Sequence, residues 1–280
     1  MKKINVKDIS TIIESLCIEA CCFLPDEVIN SYKNALNIEK DELPIEILNQ
    51  IIDNANLGKN EQIPVCQDTG MVVVFVSIGM DIQFVNGNIE DAINEGVRSG
   101  YEKGYLRKSI VKDPFNRINT NDNTPAVIYY EFTKGDQLKI DIMPKGFGSE
   151  NMSAIKMLKP SDGIEGFKEF IIKTVKEAGP NPCPPLFLGI GVGGTLDKAA
   201  VLSKKALLRK PGSRNKESFY EKIEKQLKEE INKLNIGPAG LKGKTTVFDV
   251  FIESFPTHIA GLPVALTICC HSLRHKGVIL

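Results

Sequence analysis

Apolar side chains recur at helical spacing through roughly the first 60 positions, which predicts helices over 7–22, 26–38 and 44–56. Pro25 stands just ahead of the second, where its fixed φ suits a first helical turn. Ile45, Ile47, Leu48, Ile51 and Ile52 form the stripe of the third. The pattern then changes to a continuous apolar run over 71–80, as expected of a buried strand. Residues 89–106 return to helical spacing, with Arg98 on the exposed face and Arg107 at the end. NTNDNTP (119–125) is a loop by composition, followed by strands near 126–133 and 137–143 and a glycine-containing loop from Lys145 to Ser149.

In the second half, a helix over 164–178 ends in the breaker run Gly179-Pro180-Asn181-Pro182. The apolar run LFLGIGVGG leads into a helix over 195–208, and 214–234 is charged and amphipathic, the pattern of a solvated surface helix. Strands near 245–255 and 262–270 bracket PTHIAGLP. With no internal repeat and no obvious linker, the expected fold is α+β. It has mixed β-sheets surrounded by helices, a helical N-terminal layer and a single large domain over 1–280.

Composition narrows the partners. Lys+Arg and Asp+Glu both number 35, so there is no basic excess to favour nucleic acid or a membrane surface. Near-zero net charge leaves association open. No segment reaches the roughly 18 apolar residues of a membrane span. Asp8 and Glu14 interrupt any signal-peptide core, so a cytoplasmic location is expected. Seven cysteines in a reducing compartment do not read as a disulfide framework; burial, catalysis and metal binding stay open.

The cysteines separate by neighbourhood. Cys17, Cys21 and Cys22 lie on a helix among Leu16, Ile18 and Ala20 and read as small hydrophobes, as does Cys269 within its strand. Cys66 in PVCQDTG, Cys183 among four prolines and Cys270 at a strand end sit instead on irregular backbone suited to a metal ligand or reactive thiolate. The absence of CxxC argues against a structural zinc site and against ferredoxin-type spacings. Three separated cysteines are still compatible with a [4Fe–4S] cluster that keeps one iron open as a Lewis acid. Of the three histidines, His258 lies in a loop between strands, where catalytic groups concentrate.

Gly189 to Gly194 spells G-x-G-x-x-G between an apolar run and a helix. The dinucleotide context then fails, because about 20 residues on the sequence is RKPGSRNKES instead of an acidic strand end. A glycine turn able to receive an anion is the remaining reading, and with it a non-catalytic binding module as the competing class.

PVCQDTG, DPFNRINTNDNTPAVIYYE, MPKGFGSENMSA, NPCPPLFLGIGVGGTLDKAAVLSKKALLR, GPAGLKGKTTVFDV, PTHIAGLPVAL and CCHSLRH occur in this order. Together, over roughly residues 10–275, they resemble the iron–sulfur class I fumarate hydratases and the related L-tartrate dehydratases. The resemblance is to the N-terminal domain, which in many organisms is a separate alpha subunit. The chain stops at Leu280, so the resemblance implies a beta subunit carrying the C-terminal domain, in a hetero-oligomer with paired alpha subunits. It also implies a [4Fe–4S] cluster on Cys66, Cys183 and Cys270 and a small dicarboxylate substrate. Asp68 and His258 are implied as catalytic, with Gln67, Arg107, Gly146 and Gly148 as substrate-binding; Phe147 interrupts the family's run of glycines, and Lys145 could equally be a solvated loop lysine. The implied reaction is reversible hydration of fumarate to malate, with tartrate dehydration as the alternative. Nothing in these residues separates the two.

Overall fold

A computed structural model describes residues 1–280. The N-terminal part comprises β1 (Lys2–Asn5), α1 (Val6–Cys22), α2 (Asp26–Ile38), α3 (Glu42–Glu61), β2 (Met71–Gly79), β3 (Ile82–Val85) and α4 (Ile89–Lys103). Then come β4 (Val127–Thr133), β5 (Leu138–Lys145), the single turn α5 (Phe147–Glu150), β6 (Ala154–Leu158), α6 (Gly163–Ala178) and β7 (Leu186–Gly193). The chain closes with α7 (Leu196–Ala206), α8 (Ser218–Asn232), β8 (Val247–Phe255), β9 (Leu262–Cys269) and β10 (Lys276–Ile279). The fold is α+β with mixed sheets, as the periodicity predicts. No helix is long and apolar enough to cross a membrane.

Contacts group the residues into two compact units. The first holds Met1–Pro25, Ala55–Phe147 and Arg274–Leu280. Its four-stranded sheet has the order β10-β5-β2-β4, with β2 parallel to β4 and antiparallel to β5. The central β2 buries both faces, which is why its sequence runs apolar without alternation. Helices α1 and α4 pack on this sheet through Ile9, Ile13, Cys17, Ile93 and Val97, all fully buried. Burial of each such aliphatic side chain contributes roughly 1.5–3 kcal/mol. Asn5 caps α1, its side-chain oxygen accepting from Lys7 N at 3.2 Å.

The second unit holds Asp26–Asn54 and Gly148–Leu273, so α3 contributes to both. Its sheet has the order β6-β9-β7-β8, with β7 parallel to β8 and antiparallel to β9. Gly191 explains why β7 is glycine-rich: a Cβ there would sit 2.0 Å from the carbonyl oxygen of Ala199 in α7. The G-x-G-x-x-G spacing is thus used for close helix–strand packing. At the C-terminal end of α2, the carboxylate of Glu39, 6% exposed, accepts from the amides of Lys244 at 2.9 Å and Thr245 at 2.7 Å.

Candidate functional site

In the first unit, PVCQDTG forms an irregular turn entering β2, fastened at nearly every residue. Val65 N donates to Cys21 O at 3.0 Å. The buried Tyr101 hydroxyl donates toward the carbonyls of Thr69 and Gly70 at 2.8 and 3.0 Å. Thr69 Oγ1 donates to Arg107 O at 3.1 Å, tying the turn to the segment that presents the exposed Arg107 side chain. Asn123, fully buried in the NTNDNTP loop, donates to Gly70 O at 3.2 Å and accepts from Ser109 N at 2.8 Å.

Within this frame Cys66 is partly exposed and its thiol faces the Gln67 side-chain oxygen at 3.6 Å. Asp68 has both carboxylate oxygens engaged: Oδ1 accepts from Gly70 N at 3.0 Å and Oδ2 from Phe147 N at 2.7 Å. The peptide between Gly146 and Phe147 therefore serves Asp68. A Cβ on Gly146 would lie 3.2 Å from both Asp68 Oδ2 and Arg274 Nη2, whereas one on Gly148 would meet nothing within 4 Å. Arg98, at the other face of α4, is spent on ion pairs with Glu95 and Asp122.

Two cations escape sequence reasoning. Lys145 is only 2% exposed, with Nζ donating to Gly146 O at 3.2 Å, so it is not the solvated loop lysine that remained an option from sequence. Arg274 is 3% exposed. Burial pushes the Cys21 thiol up to about 12 against the opposing pull of Arg274, and burial raises Cys17 well above the ordinary range. These two helix thiols behave as core, as their neighbours predict.

In the second unit, Cys183 holds φ at 56°, in the left-handed region that a non-glycine residue enters only when its surroundings dictate it. Its carbonyl accepts from His271 N at 3.3 Å, which brings the proline-rich turn beside the end of β9 where Cys270 sits. The Cys183 side chain is exposed and Cys270 is partly so. The His258 loop is latched to the glycine turn after β7. Thr257 Oγ1 donates to Gly194 O at 3.0 Å, and Gly194 N to Pro256 O at 3.2 Å. His258 Nδ1 accepts from Ala260 N at 3.2 Å, so the neutral ring carries its proton on the exposed Nε2.

No three His, Cys, Asp or Glu side chains gather into a preformed metal site. The donor chemistry nonetheless fits an iron–sulfur group: Cys66, Cys183 and Cys270 are outside any disulfide and open to solvent, whereas Cys17, Cys21, Cys22 and Cys269 are buried. A groove of about 730 Å³ between β6 and α6 is lined by Lys156, Glu169, Lys173 and Glu177. It holds none of the expected site residues.

Comparison with known proteins identifies the class as hydro-lyase. Residues 10–279 match the family described as fumarate hydratase (Fumerase), and the chain belongs to this family. It is 44% identical over 272 residues to a Methanocaldococcus jannaschii protein named "Putative L(+)-tartrate dehydratase subunit alpha", covering 95% of each chain. It is 32% identical over 261 residues to the L(+)-tartrate dehydratase subunit alpha of Escherichia coli O157:H7, covering 92% of this chain and 85% of that one. The same values hold for the subunit of that name from Escherichia coli strain K12. The protein is a hydro-lyase.

Proposed function

We propose that this chain is the alpha subunit of an iron–sulfur hydro-lyase that removes water from L(+)-tartrate to give oxaloacetate, working with a beta subunit. The observation that carries the reading is the 44% identity along 95% of both chains to the Methanocaldococcus relative of that printed name. Hydration of fumarate to malate is the second reading, favoured by the family description. Cys66, Cys183 and Cys270 would hold a [4Fe–4S] cluster, which when bound supplies Lewis acidity toward a substrate oxygen.

This chain's own groups prepare the rest. Asp68, held by two amides, presents a fixed acceptor for a substrate hydroxyl, and Gln67 beside it offers an amide. Arg107 provides a guanidinium fork that matches a carboxylate in two parallel bonds. His258 offers its Nε2 proton to an oxygen of the substrate, a role suited to imidazole near neutral pH. Dehydration breaks one C–O and one C–H bond, and the enol that remains from tartrate ketonises to oxaloacetate. By family resemblance the base that takes the carbon-bound proton belongs to the beta subunit, so the chain alone is expected to be nearly inactive.

The test is anaerobic reconstitution of the chain with its beta subunit, iron and sulfide, followed by parallel assays with L(+)-tartrate, malate and fumarate. A higher kcat/KM on tartrate supports the reading. Preference for fumarate and malate selects the second. Full activity without the beta subunit, or none on any of these acids, overturns both.

A further inference from the structure

Arg274 lies four positions past Cys270, yet its guanidinium is among the most deeply buried charged groups of the first unit, at 3% exposure. An arginine taken out of water needs compensating contacts, because desolvation costs several kcal/mol. The Arg274 charge opposes the upward shift of the Cys21 thiol, so the guanidinium stands within electrostatic reach of that sulfur. Its Nη2 packs on Gly146 so closely that an added Cβ would lie 3.2 Å away, and Asp68 Oδ2 would lie 3.2 Å from that same atom. Guanidinium and carboxylate thus converge on one glycine.

That glycine's peptides connect them. Lys145 Nζ holds the carbonyl of Gly146 at 3.2 Å, and the next amide, Phe147 N, donates to Asp68 Oδ2 at 2.7 Å. Gly146 is therefore gripped at its carbonyl by one buried cation and packed at its Cα against a second. The Gly146–Phe147 peptide thus lies between the guanidinium and the shorter of the two bonds that orient Asp68.

We propose that Arg274 is a positioning residue for Asp68, acting through the Gly146–Phe147 peptide to hold the carboxylate in one orientation. The catalytic consequence rests on the hydro-lyase reading; the mechanical coupling does not. A misplaced catalytic group costs on the order of 100-fold in rate.

The experiment is a double-variant cycle with Arg274→Gln and Asp68→Asn, read in two ways. In the chain itself, hydrogen–deuterium exchange reports the amides of Gly70 and Phe147. In the reconstituted complex, kcat and KM are measured separately. Arg274→Gln is expected to speed exchange at Phe147 by about tenfold or more, to lower kcat by on the order of 100-fold with KM nearly unchanged, and to add little in the Asp68→Asn background. Equal losses in both backgrounds, or unchanged exchange at Phe147, overturn the proposal. If Arg274→Gln yields no soluble protein, Arg274→Lys keeps the buried charge but loses the planar fork, and the same criteria apply. A wild-type complex inactive on every dicarboxylate would defeat the hydro-lyase reading, while the exchange measurement would still decide the coupling.

Discussion

The phenol of Tyr32 donates a 2.9 Å hydrogen bond to the backbone carbonyl of His271, and the two rings meet edge-on with centroids 6.3 Å apart. Tyr32 is fully buried in α2, so a helix far away in sequence braces the segment that follows Cys270. Removing only the hydroxyl leaves a carbonyl without this donor. Tyr32→Phe should therefore destabilise the protein by about 1 kcal/mol in urea unfolding, with no change in cooperativity. A wild-type midpoint would mean that the brace contributes nothing.

His258 is exposed and its ring is oriented through Nδ1 by a local amide. His258→Asn should thus leave the melting temperature within a degree or so of wild type while kcat falls by roughly 100- to 10,000-fold, the range for loss of a general acid or base. Melting curves and initial rates on the reconstituted complex separate the two effects. A large drop in melting temperature would assign the residue to structure.

The three accessible cysteines should each be needed for iron. Cys66→Ser, Cys183→Ser and Cys270→Ser are each expected to lower bound iron after anaerobic reconstitution to a small fraction of wild type. Cys269→Ala, which changes a buried strand thiol, should retain iron at the cost of some stability. Iron analysis on all four decides it, and undiminished iron in any of the first three removes that residue from the ligand set.

Much of the fold is legible in the amino-acid sequence. Helix α2 and strand β2 stand within a residue of their expected bounds, because a complete helical stripe or a fully apolar run leaves one burial solution. β1, β3, β6 and β10 were not expected. Each has only four or five residues, and strands β1, β6 and β10 lie at sheet edges where no alternation is imposed. Cys17, Cys21, Cys22 and Cys269 read as core and are buried, because burial follows their immediate neighbours. Lys145 and Arg274 do not read as core, since a charged residue reads as surface unless its partners are visible, and theirs come from distant parts of the chain. Arg274 was in plain view in CHSLRH; an arginine so close to a candidate ligand was the only available signal.

Acid should act on the Asp122 cluster. Burial works against the charged form. Hydrogen bonds from the Thr124 amide and side chain and from Arg98 nonetheless prevail and bring the Asp122 carboxyl down to about 2 from 3.8. A lowered native value means stability present above the unfolded value and lost as pH falls toward the folded one. The advantage of wild type over Asp122→Asn should be on the order of 1 kcal/mol near neutrality, discounted for a side chain that is 27% exposed, and should shrink as pH drops through about 4 toward 2. Urea midpoints at several pH values provide the check; a constant difference would contradict it.

The uneven exposure of the thiols has a practical consequence. Cys183 is exposed and Cys66 and Cys270 partly so, while four others are sealed in helix or strand. A small alkylating reagent applied to the folded chain would mark the first three and spare the rest, because modification follows access and thiolate character. Metal occupying the three would shield them in turn. Counting added alkyl groups by mass would then read out how far each molecule has been charged with cofactor, with no spectroscopic band or activity required.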